Sequence, residues 1–250
     1  MFTIFTTAFL FFVIDSLCIR AFNKTTWCVK LSKKQLVQIG EGVPSTMNAL
    51  VNTCFAFVIV SDNLFWENKL THSTYLSNNL VQFITGYFLY DLIICIKRFN
   101  YSGVLFLMHG IICLSASLLV NWYNIGHFYI ASRILYEISN PFMYACKFSK
   151  LVKLSSCTQT ICNVLFACTF FMCRIVWGIF SWIVLFRNSF DCDDNTVNLF
   201  RITVFLDTCL LALNLYWFTR IINIIYKELC SNNKRFLHTR YDGSDTQVRQ

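Results

Sequence analysis

Among the ionisable residues inside otherwise hydrophobic runs, Asp91, His109, Glu137 and Arg174 stand out. Hydrocarbon is a costly place for such groups, so each must face a bundle interior, pair with another charge or line a wetted cavity, and each is a functional-site candidate by default. The richest stretch is GHFYIASRILYEISNPFMYAC, Gly126 to Cys146, which carries Arg133, Glu137, Asn140 and Pro141. Arg133 lies one regular helical turn before Glu137, so the plain structural reading is an ion pair between the two. An imidazole at His109 has the chemistry of a general base toward a hydroxyl or amine. A guanidinium at Arg174 has the chemistry of an anchor for a carboxylate or phosphate.

The elements that must position these groups are membrane helices. The chain has 250 residues, of which 56% are hydrophobic, 17% aromatic and only 14% charged, with two prolines. Its mean hydropathy of +0.53 is far above that of a soluble domain of this size. The apolar runs approach the roughly 20 residues that a spanning helix needs, and they lack the alternation of an outer-membrane barrel. The fold class expected is all-α, a polytopic integral membrane protein of about seven transmembrane helices.

The formal charge of +8 does not point to nucleic acid, because the bases lie between hydrophobic runs and form no stripe or compact patch. Thirteen cysteines, most of them inside the runs and none in a CxxC pair, read as small packing residues, not a disulfide framework. His72, His109, His127 and His238 have no ligand spacing, so neither a metal nor another cofactor is expected.

In chain order, FTIFTTAFLFFVIDSLCI opens an anchor helix over residues 1–22. The following spans are expected at about 43–60, 79–96, 103–120, 125–146, 160–186 and 199–225, and a basic, disordered tail at 229–250. Bases gather in alternate connections: Arg20, Lys24, Lys30, Lys33 and Lys34, then Lys97 and Arg98, then Lys147, Lys150 and Lys153, then the tail. The intervening connections hold only Lys69 and Arg187 beside Asp62, Glu67, Asp191, Asp193 and Asp194. That alternation predicts a lumenal N-terminus and a cytosolic tail, with the sequons at Asn23 and Asn100 facing the cytosol.

Helical spacing shows which faces converge. Tyr87 and Asp91 are a turn apart in the third span, and His109 and Cys113 in the fourth, beside Gly103, Gly110 and Ser117 at a seven-residue period that favours close helix approach. In the sixth span Asn163, Ala167, Phe171, Arg174, Gly178 and Ser181 share a face on regular α-helical geometry; in the seventh, Thr203, Asp207, Asn214 and Trp217 do. Alternating topology brings Asp91 and His109 into the cytosolic halves of their helices and Glu137, Arg174 and Asn214 nearer the middle. One cavity open to the cytosolic leaflet is the expectation, and simple interhelical hydrogen bonding is the plain alternative.

A series of short motifs runs colinearly along these spans: PSTMNAL (Pro44 to Leu50), TGYFLYDLI (Thr85 to Ile93), His109, EISNPF (Glu137 to Phe142), FFMCRIVWG (Phe170 to Gly178) and LNLYWF (Leu213 to Phe218). Together they resemble the TLC domain superfamily from about Lys33 to Glu228, and look closest to TLC domain-containing proteins outside the ceramide-synthase branch. The TLC domain is accordingly expected over 33–228. Ceramide synthases carry adjacent histidines where this chain has His109 followed by Gly110, and a pair of aspartates that has no counterpart here; Asn48 stands where related proteins often have histidine. Asn140, Pro141 and Tyr144 also match the NPxxY signature of seven-helix receptors, but two long spans follow the motif and no Asp-Arg-Tyr triplet occurs.

The resemblance implies a lipid-homeostasis protein of internal membranes, the endoplasmic reticulum first among them, whose partners are membrane phospholipids or sphingolipids held in a cavity. Tyr87, Asp91, His109, Glu137, Arg174, Asn214 and Trp217 are its lipid-binding candidates. Arg174 and His109 would meet the head, with Asp91 and Glu137 holding those bases in place. The alternative is an acyl-CoA-dependent acyltransferase with His109 as base and Asp91 as its orienter; a second alternative is a seven-helix receptor.

Overall fold

The structure, a computed structural model, describes residues 2–25, 31–190 and 197–245, with side chains as far as Tyr226. The tail expected at 229–250 therefore lies outside the residues whose side chains are described. Among the described residues the regular elements are all helical. Five of them are long, unbroken helices: α1 (Phe2–Lys24), α2 (Lys33–Ser61), α4 (Tyr75–Lys97), α6 (Val104–Tyr123) and α11 (Val197–Asp245). A sixth rod, Ser156–Asn188, joins α9 (Ser156–Phe170), a π turn (Phe171–Val176) and α10 (Trp177–Asn188). These six rods are long and apolar enough to cross a membrane. The seventh is interrupted: α7 (His127–Ile134), a 3-10 turn (Leu135–Ile138) and α8 (Ser139–Leu151). Two short helices, α3 (Asn63–Glu67) and α5 (Phe99–Ser102), fill connections.

Local chemistry sets these boundaries. Ser32 accepts from the Gln35 amide while the Gln35 side chain accepts from the Ser32 amide, a capping box that starts α2 ten residues ahead of its apolar run. Helix α6 ends where Asn124 (φ 55°) and Gly126 (φ 82°) turn left-handed, and the Gly126 amide donates to the Leu70 carbonyl at 2.7 Å. Pro141 has no N–H to offer the carbonyl of Glu137 four residues earlier, and the chain tightens into 3-10 geometry over Leu135–Ile138. Pro141 itself sits in the first turn of α8, where a missing donor costs least.

Helix α4 lies between α1 and α6, and the interrupted rod packs against α2. The α1–α4 contact depends on Gly86: a Cβ there would stand 2.5 Å from the Ile4 carbonyl oxygen and 2.7 Å from Thr7 Cβ. The seven-residue series on the fourth span holds only in part. Gly110 packs on Leu92 and Ser117 is buried, but Gly103 caps the helix at φ 80° with open space around it. Glycine is needed there for its dihedral angles, not for close approach.

At one end of the bundle Arg98 ties three helices together. Its guanidinium donates to Asp15 on α1 (2.5 and 3.2 Å) and to Glu41 on α2 (2.9 Å). Burial works against the charge on Arg98, but the two carboxylates outweigh it and hold the group above its usual pKa, so it stays cationic. Large apolar side chains such as Phe9, Phe57, Trp122 and Phe205 are left exposed on the outside of the bundle, the pattern of a lipid-facing surface.

Candidate functional site

The site is organised around Arg174. It lies in the π turn, which carries one residue more than α-helical phasing allows. The extra residue moves the inward face upstream of it by one position. Phe170 is buried and stacks under the guanidinium at 5.3 Å, whereas Phe171 faces out. The inward series is therefore Phe166, Phe170, Arg174, Gly178 and Ser181, and the regular face drawn through Ala167 and Phe171 is corrected.

Arg174 is clasped on almost every edge. Nε donates to the Tyr136 carbonyl (3.2 Å) and Ser139 Oγ (2.9 Å), Nη1 to Asn214 Oδ1 (3.3 Å), and Nη2 to Asn140 Oδ1 (2.8 Å) and Glu137 Oε1 (3.4 Å). Asn140 closes the ring by donating to Glu137 Oε2 (2.7 Å) and Ser45 Oγ (3.2 Å). Glu137 thus holds Arg174, the arrangement that the family resemblance implies. The expected pair between Arg133 and Glu137 does not form. A 3-10 turn advances the chain at three residues per turn, which takes positions four apart off a common face, and Arg133 pairs with Asp207 on α11 instead.

Beside this cluster is a cavity of about 210 Å³ whose wall includes Tyr87, Asp91, His109, Glu137, Arg174 and Trp217, contributed by α4, α6, the interrupted rod, the π turn and α11. Six of the seven candidates therefore face one hollow. The seventh, Asn214, is completely buried behind it and braces Arg174. His109 rests 3.7 Å from Cys113 Sγ and edge-on to Trp217 at 5.5 Å between ring centroids. No hydrogen bond or ion pair joins Asp91 to His109, or to any other described residue, so the orienting role expected of Asp91 has no contact behind it.

Arg220 completes the wall and escaped the sequence reading. It lies three residues beyond Trp217, on the same face, and that spacing was the available signal. It too has no hydrogen-bonding or ionic partner among the described residues. Two further hollows adjoin the chamber. One of about 90 Å³ shares Ser45, Tyr87, Asp91 and Tyr144 and continues to Glu41 and Lys147. Another of about 260 Å³ shares Met143, Phe166, Ile221 and Ile224. The chamber has a polar branch and an apolar one, and among the described residues no group of three or more metal-ligating side chains is found.

Six rods long and apolar enough to cross a membrane, with an interrupted seventh and a hollow whose walls mix ionic and aromatic groups, define a polytopic helical membrane protein. The family model for the TLC domain matches residues 38–223, and the chain belongs to the TLC domain family. An uncharacterized TLC domain-containing protein of Schizosaccharomyces pombe is 24% identical over 214 residues, 84% of this chain and 73% of that protein. TLC domain-containing protein 4 A of Dictyostelium discoideum is 24% identical over 226 residues, 88% of this chain and 86% of its own length. Topoisomerase I damage affected protein 4 of Saccharomyces cerevisiae is 26% identical over 170 residues, 64% of this chain, and the match spans 60% of the yeast protein.

Proposed function

We propose that this protein serves lipid homeostasis by binding a membrane phospholipid in the chamber beside Arg174, taking it from the cytosolic leaflet of an internal membrane, the endoplasmic reticulum. The observation that carries this reading is the wall itself: Asp91, His109, Glu137, Arg174 and Trp217 converge on one hollow with an apolar branch. Arg174 and Glu137 are occupied with one another and hold the wall in shape. The groups free to meet a guest are Arg220 and Asp91, one cation and one anion, and they suit a head that carries both a phosphate and an amine. The chain of the lipid lies along Phe166, Met143, Ile221 and Ile224. The alternation of basic connections supports a cytosolic position for the Arg98 end of the bundle, where the polar branch opens.

Lipids that copurify with the protein in mild detergent, identified by native mass spectrometry, test the reading. Wild type should retain a zwitterionic phospholipid, and Met143→Trp, which fills the junction of chamber and apolar branch, should release it. Lipid analysis of a deletion strain complemented with Arg220→Glu or His109→Ala separates handling from catalysis. Handling predicts that the Arg220 change alters the lipid profile more than the His109 change; loss of a single acylated product with His109→Ala alone would replace this reading with an enzymatic one.

A further inference from the structure

A separate hollow of about 40 Å³ lies on the far side of His109 and Glu137, walled chiefly by α6, α7 and α11, and the Arg133–Asp207 pair faces into it. The pair is bonded in one place only. Arg133 Nε donates to Asp207 Oδ1 at 2.5 Å, and Nη1 turns away to the Tyr129 carbonyl at 2.6 Å. A side-on guanidinium–carboxylate fork would join Nη2 to Oδ2 as well. Here Arg133 Nη2 and Asp207 Oδ2 are both buried and both without a hydrogen-bond partner. The two side chains are only 9% and 3% exposed, so bulk water does not satisfy those atoms.

The unmet edges dictate what fits. One is a donor and the other an acceptor within a single ion pair, so the complement is a group that accepts and donates at once. Because Arg133 and Asp207 neutralise each other, a charged head would enter without a counter-charge and lose its hydration for nothing in return. The hollow admits only a few water-sized groups, which excludes a phosphodiester head and accommodates a hydroxyl. Apart from His109 and Glu137, which is held by Arg174, the remaining wall is mostly apolar, and Ala116 and Leu119 on α6 and Thr203 and Leu206 on α11 are only half-buried, so the hollow opens sideways between these two helices. One water would bridge the pair but would leave the rest of that apolar wall unfilled.

We propose that the void at the Arg133–Asp207 pair is a binding site for the uncharged, hydroxyl-bearing end of a neutral membrane lipid, which enters sideways between α6 and α11. The hydroxyl accepts from Arg133 Nη2 and donates to Asp207 Oδ2, while the body of the lipid stays in the cleft. This site is separate from the phospholipid chamber, although His109, Glu137 and Phe88 form a wall common to both.

The full chain in lipid nanodiscs, irradiated with clickable diazirine analogues of a diacylglycerol, a sterol and a phosphatidylcholine, provides the test. The diacylglycerol or the sterol analogue should label the peptides holding Ala116 to Leu119 and Thr203 to Leu210, above the phosphatidylcholine analogue, and excess unlabelled dioctanoylglycerol or sterol should suppress that labelling. Whichever of the two labels identifies the source of the hydroxyl. Ala116→Phe, which plugs the hollow and leaves the ion pair intact, should reduce labelling about ten-fold, the factor that about 1.4 kcal/mol of lost binding produces. Arg133→Met with Asp207→Leu should do the same. Labelling no stronger than that of phosphatidylcholine, not suppressed by competitor, or unchanged by Ala116→Phe overturns the proposal, as does a high-resolution map with only water between the pair. The competition arm uses wild type and does not depend on any variant folding.

Discussion

Two arginines inside the bundle, on different rods, are used in opposite ways. Arg174 has partners on all three nitrogens, drawn from Tyr136, Glu137, Ser139, Asn140 and Asn214. Arg133 touches one carboxylate oxygen and one carbonyl, and leaves a donor and an acceptor open toward a hollow. The first arrangement is a pillar, because removing either Arg174 or Glu137 strands a buried charge. The second is a receptor in form, because something outside the chain must complete it. Burial alone does not separate the two; the count of satisfied edges does.

Stability measurements in detergent can break that contrast. Arg174→Met should cost the most, about 3–5 kcal/mol, since it leaves Glu137 buried without its partner; thermal unfolding should fall steeply, and a small change would mean that the clasp carries little. Next comes the pair Phe170→Ala and Phe171→Ala. The first removes the ring under Arg174 and should cost on the order of 1–2 kcal/mol, because close packing is the main attraction between membrane helices, while the second faces out and should cost far less. Equal effects would contradict the extra residue of the π turn. Tyr136→Phe removes a hydroxyl that bonds Ser181 Oγ at 3.0 Å. Ser181 retains the Gly178 carbonyl, so the loss should be about 1 kcal/mol. Smallest of all should be the double change Arg133→Met with Asp207→Leu, within about 1 kcal/mol of wild type, because an apolar pair of similar size replaces both charges. A loss as large as that of Arg174→Met would place Arg133 among the pillars.

Much of the chamber is legible in the sequence. The penalty for charge in hydrocarbon singles out Asp91, His109, Glu137 and Arg174, and helical spacing adds Tyr87 and Trp217; all six line the same void. The errors occur where the backbone leaves α-helical phase. A helical wheel advances by a fixed angle, so it joins Arg133 to Glu137 across what is a 3-10 turn, and runs Phe171 into Arg174 across what is a π turn. Pro141 announces the first irregularity, and nothing in FFMCRIVWG announces the second. Arg220 is missed for another reason: close to the end of an apolar run, a base reads as a boundary marker, although its spacing from Trp217 puts it on the face that lines the chamber.

The clasp between Asp15 and Arg98 has a consequence for how the molecule is made. The two residues are 83 positions apart. Asp15 is synthesised ahead of its cation, which follows on the order of ten seconds later at ordinary synthesis rates. During that interval an acidic group sits unmatched at the edge of the insertion machinery. Helix α1 gains its cation only once α4 has been made, and nascent chains stopped before Arg98 should be the ones that quality control removes.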